Sequence, residues 1–169
     1  MNELTTFNPA SYFSITIKVK TYVRKYIEAT YPQPMILSVK NLMGIVVYAF
    51  LEKEKINNYS KKNKFYTSIR YSNLNDSIKV LVPKMEVYKY RQGLSISKEK
   101  LIIINNLFEK KMNEDIYTWC RRYRQVGISN RIAIEDFATE HNIDLDDDIT
   151  YDALRKSVYR LMKRMKQDN

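Results

Sequence analysis

Apolar positions along the chain change their period several times, and each change marks an element. From Tyr12 to Lys20 they alternate, with Phe13, Ile15, Ile17 and Val19 on one side and Ser14, Thr16, Lys18 and Lys20 on the other. That pattern predicts a strand with one wet face. The spacing then widens: Tyr22 or Val23, Tyr26, Ile27 and Tyr31 fit a short amphipathic helix over 21–30, stopped by Pro32 and Pro34. Ser38 is placed to cap a further helix, Val39 to about Lys53, whose apolar face is Leu42, Ile45, Val46, Ala49 and Phe50. Gly44 inside it lowers helix propensity and permits close packing. Met1 to Ala10 carries little pattern and reads as a leader.

A polar link, Glu54 to Lys64, precedes two runs rich in aromatic and β-branched residues, Phe65 to Tyr71 and Ser77 to Val82. Ser72-Asn73-Leu74-Asn75-Asp76 supplies turn chemistry between them, so the expectation is a hairpin, its second strand ended by Pro83. Lys84 to Arg91 is expected as a short helix closed by Gly93, with Met85, Tyr88 and Val87 as its buried contacts. Ser97 then caps the longest helix, Lys98 to about Gln125, on the period of Leu101, Ile104, Leu107, Phe108, Met112, Ile116 and Trp119, and Gly127 closes it.

Two more helices complete the pattern. Ser129 caps a short one whose apolar side is Ala133, Ile134, Phe137 and Ala138, and Asn142 stands where a helix ends in a left-handed residue. The last begins at a Thr150 cap, with Asp152 at the positive end of the helix dipole. Leu154, Val158, Leu161, Met162 and Met165 fall on one stripe of it; Arg155, Lys156, Tyr159, Arg160, Lys163 and Lys166 fall opposite. The fold class expected is α+β, mainly helical: an N-terminal α+β region with a hairpin over 1–96, a long central helix over 97–126, and a basic helix pair over 127–169.

Phe137-Ala138-Thr139-Glu140-His141-Asn142-Ile143 resembles the first helix and turn of the helix-turn-helix DNA-binding domains. The basic helix then stands in the place of their recognition helix. The resemblance is confined to this C-terminal portion and departs from the family in the turn, where Asp144 to Ile149 makes the link several residues longer. It implies binding of double-stranded DNA, with Arg155, Lys156, Tyr159 and Arg160 toward base edges and Lys163, Arg164 and Lys166 toward phosphates. The acidic surface of the shorter helix, Glu135, Asp136 and Glu140, is expected to point away from phosphate.

Charge agrees with a polyanionic partner: 29 Lys and Arg against 19 Asp and Glu give a net charge of +10. Arg121, Arg122 and Arg124, interleaved with Trp119 and Tyr123, suit phosphate contact and base stacking. The competing reading puts Trp119 in the core and the arginines at the negative end of the helix dipole. A single module binds weakly, so self-association into a homodimer or larger homo-oligomer, through the N-terminal part, is expected. No apolar run approaches the ~20 residues of a membrane span, and no signal core follows the N-terminus, which predicts a cytoplasmic protein.

Catalytic chemistry finds little footing. The three glycines form no phosphate loop, and the one histidine, His141, stands at an apparent helix end. The single Cys120 excludes an internal disulfide and a cysteine-rich zinc site. Beside Arg121 and Arg122 its thiol could be acidified, although burial beside Trp119 is the preferred reading. Asp144, Asp146 and Asp148 mimic the start of a calcium loop, but Ile149 and Arg155 occupy the positions that need glycine and a carboxylate. No cofactor, metal or enzymatic activity is expected. Function classes therefore rank as a DNA-binding regulator or replication accessory factor, in a phage or mobile-element setting suggested by size and composition; a non-enzymatic structural or assembly protein contacting nucleic acid or an acidic partner; and, last, a metal-dependent nuclease using Asp136, Asp146, Asp147 and Asp148.

Overall fold

The alternating run at the start of the chain forms strand β1 (Tyr12–Val19), with Ile15, Ile17 and Val19 buried and Phe13 half-buried. This computed structural model describes residues 9–39, 42–51, 70–90 and 93–167. Helix α1 (Thr21–Thr30) follows directly and buries Tyr22, Val23, Tyr26 and Ile27. Its entry is fixed from a distance, because the Lys20 backbone N–H donates to Asn105 Oδ1 at 3.0 Å, which also satisfies a polar side chain that is otherwise buried.

The sheet departs from the expected hairpin. Strand β3 (Asp76–Pro83) pairs antiparallel with β1, Ile15 opposite Val80 and Ile17 opposite Ile78, and parallel with the two-residue β2 (Met35–Ile36). Its expected partner is helical where it is described, at Arg70–Ser72; residues 65–69 and the polar link before them lie outside the described residues. β1 occupies the whole length of one β3 edge, so the alternating apolar faces of the two strands close one layer. Composition could show that 65–71 and 77–82 are both β-like, but it carries no information on which strand reaches which partner.

Helix α2 (Leu42–Phe50) follows Val39, which lies in a turn; residues 40 and 41, across which the expected Ser38 cap would act, lie outside the described residues. Ser38 abuts Gly44: a Cβ added to Gly44 would sit 2.0 Å from the Ser38 carbonyl oxygen, a backbone atom with no room to yield. Pro83 does end β3, and α3 (Lys84–Tyr90) begins at the next residue. Its buried contact is Val87, whereas Met85 and Tyr88 are 82% and 68% exposed, the reverse of the expectation for those two. A helix of about two turns laid on a core buries one side, and Val87 is on it; Tyr88 meets the edge of Phe13, at 6.0 Å between ring centroids.

Helix α4 (Lys98–Gln125) has the expected bounds. Leu101, Ile104, Phe108, Met112, Ile116 and Cys120 are buried along it, with Leu107 and Trp119 half-buried at the margins of the stripe. It packs against β1 and α1 on the sheet side and against the two C-terminal helices on the other. The molecule is thus α+β and mainly helical, and buried residues from Ile15 to Val158 form one cluster in which the three sequence regions share a core. Among the described residues no helix is long and apolar enough to cross a membrane.

Candidate nucleic-acid interface

The C-terminal helix pair is positioned by local chemistry that the sequence encodes almost completely. Gly127 adopts φ +79°, which frees the Ile128 and Gly127 N–H groups to reach the Tyr123 and Arg124 carbonyls at 3.0 and 3.1 Å and terminates α4. Ser129 Oγ then accepts the Ile132 N–H at 3.4 Å, opening α5 (Asn130–Glu140), which buries Ala133, Ile134, Phe137 and Ala138. Asn142, at φ 53°, ends α5 in the left-handed region, with its own N–H on Thr139 O and that of Ile143 on Ala138 O. His141 belongs to this ending: Nδ1 lies 2.8 Å from the Phe137 carbonyl and the ring stacks on Phe137 at 4.0 Å.

The acidic link is consumed by its own backbone. Asp144 Oδ1 accepts the N–H groups of Asp146 and Asp147 at 2.8 and 2.9 Å, and the Asp144 N–H donates to Asp148 Oδ2 at 2.7 Å. The same Asp148 oxygen takes Lys25 Nζ of α1 at 2.5 Å, so the link is tied down to the N-terminal part of the fold. Those backbone hydrogen bonds, from Asp147 and Asp146, hold the Asp144 carboxyl below its ordinary pKa of 3.8. A depressed folded pKa stabilises the link fully above the ordinary value, and that contribution is lost as pH falls through the folded one. Asp144→Ala is therefore expected to lower the melting temperature at neutral pH, and the gap from the unaltered chain should narrow on acidification. A gap independent of pH would remove the carboxylate from this role.

Thr150 Oγ1 accepts the Ala153 N–H at 3.3 Å and opens α6 (Tyr151–Gln167). Leu154 and Val158 are buried against the protein, with Leu161 and Met162 half-buried beside them; the Met165 and Lys166 side chains lie outside the described residues. The opposite face is open. Arg155, Lys156, Tyr159, Arg160, Lys163 and Arg164 are all exposed, Tyr159 by 71%. Arg155 pairs with Asp152 at 3.2 Å, an exposed contact of little energetic weight, and among the described residues Lys156, Arg160, Lys163 and Arg164 have no ion-pair partner. Neighbouring acids are engaged elsewhere: Glu135 with Arg131 at 2.8 Å, and Asp136 with the Tyr123 hydroxyl, which donates to it.

Two grooves flank this face. One, of about 600 Å³, is lined by Asn130 of α5 and by Tyr151, Arg155, Lys156, Tyr159 and Arg160 of α6. The other, of about 700 Å³, lies between α4 and α6, with Asn106, Lys110 and Asn113 on one wall and Arg160, Leu161 and Arg164 on the other. Glu109, in the same groove, is held by Lys20 Nζ at 2.9 Å and by the Tyr22 hydroxyl at 2.7 Å. Arg160 lines both grooves and stands on the ridge between them.

Arg121, Arg122 and Arg124 are exposed but line neither groove. Of the aromatic residues among them, Trp119 is half-buried, meeting Phe137 edge-on at 5.8 Å and stacking on Tyr123 at 6.0 Å, while the Tyr123 hydroxyl donates to the exposed Asp136. Cys120 is fully buried, and burial pushes its thiol up to about 11 against the opposing pull of Arg124, so the acidified-thiol alternative does not hold. The sequence pattern gives no sign that Asn130 and Tyr151 belong to the site: Asn130 reads as part of a helix start, and nothing in linear spacing says that the starts of α5 and α6 face one groove. Among the described residues no cluster of three or more His, Cys, Asp or Glu side chains is arranged to hold a metal ion. Compared with known protein families, curated proteins and solved structures, the chain matches none.

Proposed function

We propose that this chain binds double-stranded DNA by laying α6 in the major groove, and that it serves a phage or other mobile element as a transcriptional regulator or replication accessory factor. The observation that carries this reading is the open cationic face of α6, whose Lys156, Arg160, Lys163 and Arg164 have no ion-pair partner among the described residues while nearby carboxylates are engaged elsewhere. The resemblance of α5 and α6 to a helix-turn-helix pair adds to it, with α5 bracing and α6 reading.

Roles divide along the helix. Arg155, Lys156, Tyr159 and Arg160 lie in its first turns and have the hydrogen-bonding chemistry for base edges; an arginine can grip guanine through two bonds. Lys163, Arg164 and Lys166 follow toward the C-terminus and meet phosphates, with Arg121, Arg122 and Arg124 as outlying phosphate contacts. Two copies presenting two such helices to paired half-sites would supply the affinity that one module lacks.

A gel-shift with random duplexes, followed by sequencing of the retained pool, tests the reading. Enrichment of a defined site, with affinity falling steeply as salt rises, is the expected result. Retention without preference would move the assignment to an assembly protein contacting packaged nucleic acid, and magnesium-dependent loss of the duplex would move it to a nuclease.

A further inference from the structure

The groove between the start of α5 and the first turns of α6 combines three features that a duplex-reading helix does not need together. Tyr151 and Tyr159 present aromatic rings, and Tyr159 keeps 71% of its surface in solvent. Lys156 and Arg160 bring two cations with no ion-pair partner among the described residues, Arg155, paired with Asp152 at 3.2 Å, brings a third, and the lining itself contains no carboxylate. Asn130 lines the same groove, and its Oδ1 is buried with no hydrogen-bond partner among the described residues, an acceptor that a ligand donor reaches once the side-chain amide turns outward.

Each feature narrows the ligand. Cations without acids call for an anion; rings at hand call for a flat apolar surface; the orphan acceptor calls for an N–H or O–H group, which a phosphodiester lacks. A nucleotide supplies all three, with its base on a tyrosine ring, a base N–H on Asn130 and its phosphate among the cations. At about 600 Å³ the groove is within the roughly 300–1,000 Å³ usual for small-ligand sites. Bases inside a duplex show only their edges, so the ring contact requires one that is out of the stack.

We infer that this groove receives a single unpaired nucleotide of a DNA strand, and that the chain prefers DNA carrying a bulged or overhanging base over a continuous duplex. The inference rests on the reading that the α6 face meets DNA, and deepens it by naming the form of DNA. Arg160, shared with the groove on its other side, can hold the phosphate next along the strand, where Lys110 and Arg164 also stand.

Fluorescence anisotropy with the full chain and four labelled DNAs of equal length tests it: continuous duplex, duplex with one bulged nucleotide, duplex with a short overhang, and single strand. The bulged and overhanging forms should bind about tenfold more tightly than the continuous duplex, the scale of one base–aromatic stack. Tyr159→Ala should abolish that preference, bringing the bulged and overhanging forms level with the continuous duplex, whereas Tyr159→Phe should keep it; Asn130→Ala should reduce it. Tyr159 is exposed, so its substitution leaves the core untouched. Equal affinity for bulged and continuous duplex overturns the inference and leaves the duplex reading standing. Tight binding of single strand with none of continuous duplex supports the groove and overturns the major-groove reading. No binding to any of the four overturns both.

Discussion

Replacing Arg155, Lys156 and Arg160 together by alanine is expected to lower affinity for a selected duplex roughly a hundredfold, taking each lost contact as about 1 kcal/mol, the low end for specific base contacts. All three are exposed on the face of α6 opposite Leu154 and Val158, so the change removes charge without opening the core, and the melting temperature should stay nearly constant. Two measurements separate the ways the affinity could fall. Where a side chain meets phosphate, its removal flattens the dependence of log K on log salt by about 0.9 per contact and weakens all sequences alike. Where it meets a base edge, the salt slope is kept and discrimination at one position relaxes. Lys163→Ala paired with Arg164→Ala is the internal comparison, expected to show the first pattern alone. If the triple variant binds the selected duplex as tightly as the unaltered chain, α6 is not the reading helix.

Elements are legible in the sequence mostly where one local rule decides them, although Ser97 stands at the N-cap of α4 without the expected side-chain cap hydrogen bond. The Ser129, Thr150, Gly127 and Asn142 punctuation depends on groups within a few residues of each other, and all four were found in place. The 28-residue α4 follows from a sustained apolar period. The failures share a different cause. β3 pairs with β1, some sixty residues earlier in the chain, and strand choice of that kind depends on which apolar faces meet in three dimensions. The sequence pattern puts Met85 and Tyr88 in a core that, among the described side chains of this seven-residue helix, Val87 reaches instead. The candidate site divides the same way. Amphipathicity alone separated the open from the buried face of α6, but the groove that joins Asn130 to Tyr151 and Tyr159 depends on how two helix starts are set side by side. The long acidic link, which looked like a departure from a tight turn, is what sets them: Asp144 folds it onto its own N–H groups and Asp148 fastens it to Lys25.

Phe137→Ala should be the most destabilising single change on the brace of α6. Phe137 is 1% exposed and is the ring on which three parts of the fold converge, with Tyr26 of α1 at 6.3 Å, Trp119 of α4 at 5.8 Å and His141 at the end of α5 at 4.0 Å. Removing a buried phenyl ring costs about 3–5 kcal/mol, and the cost is highest where the walls cannot move in. Here they are held: the Tyr26 hydroxyl donates to Asp115 at 2.5 Å, and His141 is tied to the Phe137 carbonyl. For a domain of this size the loss corresponds to a fall in melting temperature of roughly 10 °C, read by thermal denaturation. Trp119 is the only tryptophan, so its emission reports the same event locally and should shift to the red as water enters beside it. Phe137→Leu, which keeps most of the volume, should cost less than half as much. Because α5 supports α6 without supplying its cations, the alanine variant should still bind DNA well below its lowered melting temperature; loss of binding while the chain remains folded would place α5 in the interface itself.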